Sequence, residues 1–184
     1  MTMTDRPLRA LAISGSLRKV STNTAALEAL ARLAPAGMRI ALYRGLATLP
    51  PFNPDQDGEG GDTPDRVEAF RAAVAQSDAL VIAAPEYAHG VAGALKNALD
   101  WLVASESFAG KPVVLINTAP RAFHAQASLR EILSTMAARL VPEAFANLPL
   151  SGKATTADDI LADPHCAQRL RESLAALTGV LREP

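Results

Sequence analysis

The sequence predicts an α/β domain of three layers, with a parallel sheet of five strands at its centre, and three observations predict it. Apolar runs of strand length recur along the chain, and each is followed by a helical pattern or by a loop that leads to one. The runs are apolar almost throughout, as strands covered on both faces must be. Strand and helix alternate, which implies right-handed crossovers and helices on each side of the sheet. The 184 residues form one domain, 1–184, and a chain of this size buries roughly 70% of the surface it exposes unfolded. It therefore needs neither metal nor disulfide to hold a core, and the lone Cys166 has no internal partner to bridge to.

The strands are Leu8 to Ser14, Arg39 to Tyr43, Ala79 to Ala84 and Pro112 to Asn117, with a fifth near Glu143 to Ala146 between Pro142 and Pro149. After the first strand, Leu27, Leu30, Ala31 and Leu33 fall at helical spacing. Thr63-Pro64-Asp65 reads as an N-cap, a first-turn proline and a first-turn acid, with Val67, Phe70 and Val74 as the buried face behind it. Leu95, Leu99 and Leu102 mark a helix from about Val91 to Ala104. Leu129, Ile132, Leu133 and Met136 form the next stripe, and Leu170, Leu174, Leu177 and Leu181 the last. Pro50 to Gly61 is a long surface loop, a candidate lid or partner contact.

Charge narrows the function. With 18 basic and 19 acidic side chains the net charge is -1, so the chain lacks the basic stripe of a nucleic-acid binder. It equally lacks the strong acidity of an electron carrier that docks on basic partners. The polar Met1 to Pro7 and the short apolar Leu8 to Ile13 do not make a signal peptide, and no stretch approaches a membrane span. The expected setting is the cytoplasm and the expected ligand a small molecule. Aromatic residues are only 4% of the chain, so Tyr87 and Trp101 carry weight as stacking surfaces.

The loop from Ser14 to Thr24 joins the first strand to the first helix, at the carboxyl edge where open α/β sheets bind ligands. Gly15 lets the backbone turn. Ser16, Ser21, Asn23 and Thr24 offer donors beside a helix N-terminus whose N–H groups favour an anion, and Arg18 adds a cationic fork. The loop has no acid, and the combination suits a phosphate monoester. It has neither the Walker spacing nor the G-x-G-x-x-G of a dinucleotide fold. Ser21, Thr22 or Asn23 taken singly needs no ligand, because every helix start favours such a cap.

Gly15-Ser16-x-Arg18-Lys19-x-Ser21-x-Asn23, then Pro85-Glu86-Tyr87-x-His89-Gly90, then Gly93-Ala94-Leu95-Lys96-Asn97-Ala98-Leu99-Asp100-Trp101, resembles the NAD(P)H-dependent FMN reductase family of flavodoxin-like folds, which includes quinone, azo-dye and chromate reductases. The resemblance runs from about Leu8 to Leu133. It implies strand order 2-1-3-4-5, FMN as cofactor, NADPH or NADH as electron donor, and a small acceptor such as free flavin or a quinone. It also implies that Ser16, Arg18, Ser21, Asn23 and Thr24 hold the FMN phosphate, with Pro85, Glu86, Tyr87, His89 and Gly90 along the isoalloxazine ring. The helix around Trp101 commonly contributes to a dimer interface in the family, so a homodimer or homotetramer is expected. Trp101 is its anchor or else packs in the core.

Two departures stand out. Ala88 occupies a place where the family usually has Asn, and Asn117 to His124 replaces a glycine-rich loop. Arg121 there is a candidate contact for the pyrimidine carbonyls. His89, His124 and His165 lack zinc spacing, Cys166 lacks the surroundings of a nucleophile, and the carboxyls of Asp55, Asp57, Glu59 and Asp62 read as solvated. No side chain is assigned general acid or base work, since the cofactor carries the redox chemistry. The alternative expectation is a non-enzymatic electron carrier or FMN-binding regulator.

Overall fold

The computed structural model describes residues 6–57, 62–119, 121, 123–150 and 155–183. Its elements run β1 (Leu8–Ser14), α1 (Thr22–Arg32), β2 (Met38–Leu42), α2 (Asp65–Ala75), β3 (Ala79–Ala83), β4 (Glu86–Tyr87), β5 (Gly90–Val91), α3 (Gly93–Asp100), β6 (Pro112–Asn117), α4 (Phe123–Thr135), β7 (Arg139–Leu140), β8 (Ala146–Asn147), α5 (Ala157–Ala162) and α6 (Pro164–Arg182). The central sheet is parallel in the order β2-β1-β3-β6, with β7 and β8 both on the outer side of β6. This is the expected order, except that the fifth strand is split.

The split corrects the expectation for Glu143 to Ala146. Pairing occurs at Arg139–Leu140 and at Ala146–Asn147, while Pro142–Ala144 forms a 3-10 turn between them. Pro142 has no N–H to give a ladder, so the chain leaves the sheet there and rejoins it later.

Strand pleating divides the core in two. Ala10, Ala12, Ala79, Val81 and Ala83 face α1, α5 and α6, where small side chains let the helices approach. Leu11, Ile13, Leu80 and Ile82 face α2, α3 and α4, where Phe70, Leu99, Trp101 and Leu133 fill the second layer. Helix ends follow local chemistry. Ser21 caps α1 through an Oγ that accepts from Thr24 N, and Asp163 caps α6 by accepting from His165 N at 2.9 Å and Cys166 N at 3.1 Å. α5, which the sequence pattern did not single out, begins with a capping box between Thr156 and Asp159.

Two helix starts differ from expectation. Pro64, not Thr63, stands at the N-cap of α2, and the Thr63 hydroxyl instead donates to Gln56 O. α3 starts at Gly93 because Val91 is already committed to a hairpin with Glu86.

Candidate functional site

The site forms where the carboxyl ends of β1, β3 and β6 meet the starts of α1, α3 and α4. Gly15 N–H donates to Ala83 O at 2.8 Å, which presses the loop after β1 against the end of β3. A Cβ on Gly15 would stand 3.2 Å from Ala84 Cβ and 3.2 Å from Leu95 Cδ2, inside the roughly 3.5 to 4.0 Å of ordinary carbon contact. Glycine is what permits this approach.

Beyond Gly15 the loop is held by its own hydroxyls. Ser14 Oγ accepts from Thr24 Oγ1 at 2.8 Å and from Ser16 N at 3.3 Å. Asn23 is buried at 6% exposure, and its Oδ1 accepts from Thr118 Oγ1 at 3.0 Å, so the amide nitrogen is the group left to donate. Ser16 and Ser21 are also buried, whereas Arg18 is exposed. These residues open onto a groove of about 360 Å³ that is also lined by Pro85, Glu86, Tyr87, Thr118, Ala119 and Arg121.

The groove's rim is a tight hairpin. β4 and β5 pair with Tyr87 opposite Gly90, which leaves Ala88 and His89 as a two-residue turn with φ of +48° and +58°. Such a turn needs positive φ at both positions and favours Asn and Gly. Alanine accepts it at a cost of about 1 kcal/mol or more. Two contacts hold the hairpin to α4. The Glu86 carboxylate accepts from Ala125 N at 2.8 Å, a negative charge at a helix N-terminus, and the His89 ring stacks on His124 at 4.2 Å between centroids. Phe123 continues the column at 3.9 Å.

A second network fixes the loop after β2. Asn97 Nδ2 and Trp101 Nε1 both donate to Pro50 O at 2.9 Å, and Asn97 Oδ1 accepts from Phe52 N at 2.7 Å. Arg71 Nε donates to Trp101 O at 2.8 Å and its guanidinium pairs with Asp57 at 2.5 Å. Trp101 is fully buried with Phe52 edge-on at 5.0 Å, so it is a core residue and not an interface anchor. The Asp57 side chain is likewise buried and paired, not solvated. The part of the expected lid that is described, 50–57, is therefore fastened to α2 and α3; residues 58–61, Glu59 among them, lie outside the described residues.

Of the expected site residues, Ser16, Arg18, Ser21, Asn23, Pro85, Glu86 and Tyr87 come together in the groove. Thr24 turns to an adjoining cleft, and His89 and Gly90 shape the hairpin without lining the groove. Sequence reading passed over Thr22, Thr118 and Ala119 as site residues. The signal for Thr118 and Ala119 was their position just past β6, at the same sheet edge as the first loop. Pro120 and Ala122 lie outside the described residues. Cys166 is buried; burial pushes its thiol upward and the nearby Asp163 carboxylate adds to this, which disfavours the reactive thiolate.

The donor set suits FMN. A close-packed glycine turn, buried Ser16, Ser21 and Asn23, Arg18 and the N-terminus of α1 make a place for a phosphate dianion with no acid among them. The same groove continues past an aromatic ring and a backbone hairpin, as a flavin ring requires.

A family model described as NADPH-dependent FMN reductase matches residues 8–151. An NAD(P)H-dependent FMN reductase of Pseudomonas aeruginosa is 34% identical over 175 residues, covering 92% of this chain and 93% of the relative. The quinone reductase of Escherichia coli K12 is 39% identical over 110 residues, 59% of this chain and 58% of the relative. Among solved structures, the flavoenzyme NAD(P)H:(acceptor) oxidoreductase of Paracoccus denitrificans superposes with a TM-score of 0.82 at 28% identity, covering 95% of this chain and 97% of that one.

Proposed function

The chain belongs to the NADPH-dependent FMN reductase family, and from that premise we propose which of its residues do the work and what it reduces. It is an FMN-dependent NAD(P)H oxidoreductase. FMN, when bound, supplies the redox chemistry, accepting a hydride from NAD(P)H and passing electrons to a small acceptor. Ser16, Arg18, Ser21, Thr22 and Asn23 hold the phosphate, with Thr24 supporting the loop through Ser14. Pro85, Glu86 and Tyr87 lie along the ring, and His89 and Gly90 set the hairpin that presents them.

The observation that carries this reading is the continuity of the acid-free donor loop with the groove under Tyr87. Within it, the Glu86 carboxylate is occupied by Ala125 N and so acts as a brace, which leaves the backbone of 85–87 to address a ring edge. Thr118 orients Asn23, and Asn97 and Trp101 hold the adjoining loop still. A quinone is the proposed acceptor class, supported by the quinone reductase relatives.

We further place this single domain in the cytoplasm as a homodimer. A buried cysteine without a disulfide suits a reducing compartment. No described helix is long and apolar enough to cross a membrane. Leu17, Val20, Tyr87 and Val103 are all more than half exposed near the site and α3, a cost that a second copy would remove.

The test is anaerobic mixing of the FMN-loaded protein with NADPH or NADH, followed by a quinone. The flavin absorbance should bleach and then return, with Tyr87→Ala slowing it while FMN affinity changes little. Bleaching by dithionite but by neither nicotinamide would sink the reductase reading. Unchanged rates in Tyr87→Ala would remove Tyr87 from the ring.

A further inference from the structure

We infer that the cleft beside the phosphate loop takes the 2′-phosphate of NADPH, which makes Lys19 and Arg44 determinants of donor choice. This rests on the assignment of the neighbouring groove to FMN and NAD(P)H.

The cleft has a volume of about 250 Å³ and lies at the carboxyl ends of β1 and β2. It shares Ser16 and Arg18 with the groove, so one extended ligand can reach from one to the other over the loop. Its lining is mixed, with Leu42 and Leu46 beside Ser14, Thr24 and Tyr43, and it carries the cations Arg18, Lys19 and Arg44 with no acidic lining residue. Ser14 Oγ, which accepts from Thr24 Oγ1 and Ser16 N, keeps its own proton to donate. Glu28 holds one nitrogen of Arg44 at 2.8 Å, but both side chains are exposed at 67% and 40%, and the rest of the guanidinium fork remains available.

Three cations beside hydroxyl groups and a few apolar side chains match a nucleoside that bears a phosphate. The nicotinamide end of the donor must lie in the groove, so the end left for the cleft is adenosine. NADH presents a ribose hydroxyl there and NADPH a dianion. The cations act strongly on the second and weakly on the first. Arg18 faces both spaces, whereas Lys19 and Arg44 line the cleft alone among the described cavities.

The experiment is calorimetric titration of the FMN-saturated protein with adenosine 2′,5′-bisphosphate and with 5′-AMP, in the native chain and in Lys19→Gln, Arg44→Gln and the double variant. Both side chains are exposed, so these variants keep the fold. The bisphosphate should bind the native chain at least about tenfold more tightly than AMP, and the double variant should abolish that preference with AMP affinity unchanged. In turnover, the KM for NADPH should rise by a similar factor, while KM and kcat with NADH stay level. Equal affinity of the native chain for the two nucleotides, equal weakening of both in the variants, or displacement of the bisphosphate by excess FMN would each overturn the inference. The flavin spectrum reports the groove separately, and titration of flavin-free protein reads the cleft even where that spectrum fails to form.

Discussion

Gly15→Ala tests the packing that shapes the loop proposed to hold the FMN phosphate. The added methyl would meet Ala84 Cβ and Leu95 Cδ2 at 3.2 Å and Ala84 Cα at 3.3 Å. Ala84 sits directly after β3 and cannot retreat, and Leu95 is fully buried in α3, so the loop itself must move by several tenths of an ångström. Overpacking of this kind costs about 1 to 3 kcal/mol, and three simultaneous close contacts place Gly15→Ala toward the upper part of that range. The displaced segment carries Ser16 and Arg18, so FMN affinity should fall together with stability, and FMN should lose more than riboflavin. Urea unfolding gives the first quantity and quenching of flavin fluorescence the second. Combining Gly15→Ala with Ala84→Gly removes one of the three contacts, the one to Ala84 Cβ, and should restore part of the FMN affinity. An unchanged urea midpoint with unchanged FMN affinity in Gly15→Ala would refute the argument that close approach is why glycine stands there.

Arg18→Ala should weaken FMN binding by about 1.5 to 3 kcal/mol, the range for a charge-assisted hydrogen bond, and leave riboflavin affinity almost unchanged; equal loss for both would assign Arg18 to the fold. Asn97→Ala removes both hydrogen bonds to the segment from Pro50 to Phe52 and should destabilise the protein by about 1 to 3 kcal/mol, with faster proteolysis within 50–57. Burial alone would raise the Asp78 carboxyl, but hydrogen bonds from Arg6 and from Arg9 N, with the charges of Arg6 and Lys111, outweigh it and bring its pKa below 3.8. A carboxyl depressed by folding stabilises the native state above its unfolded pKa and loses that contribution as pH falls through the folded one. The gap in urea midpoint between native protein and Asp78→Asn should accordingly be full at pH 5 to 7 and close as pH drops below about 3.8; a gap that does not vary with pH would show that Asp78 acts without its charge.

Much of the architecture is a local property of the chain. The apolar runs of β1, β3 and β6 and the helical stripe of α6 are periodicities within one element, and periodicity is what a single sequence displays. The make-up of the proposed phosphate loop is local in the same way, since its glycine, hydroxyls and arginine all lie within Ser14 to Thr24, at the first turn of one helix. The stretch Pro85 to Gly90 was legible as a turn, but its positive φ angles at Ala88 and His89 oppose local preference and occur where Glu86 and His89 contact α4.

What only the tertiary structure decided are contacts between groups far apart in sequence. Trp101 could be an interface anchor or a core residue until its indole met Pro50 O, 51 positions away, and Asp57 looked solvated until Arg71 from α2 reached it. Asn23 became a braced donor only once Thr118 arrived from the end of β6. The fifth strand was placed near Glu143 to Ala146 from sequence, but only pairing with β6 showed its division into Arg139–Leu140 and Ala146–Asn147 around the turn at Pro142–Ala144. Hydrogen bonds and ion pairs act over a few ångströms, and a single chain records which groups it owns, whereas the packing of sheet and helices selects which of them come within that reach.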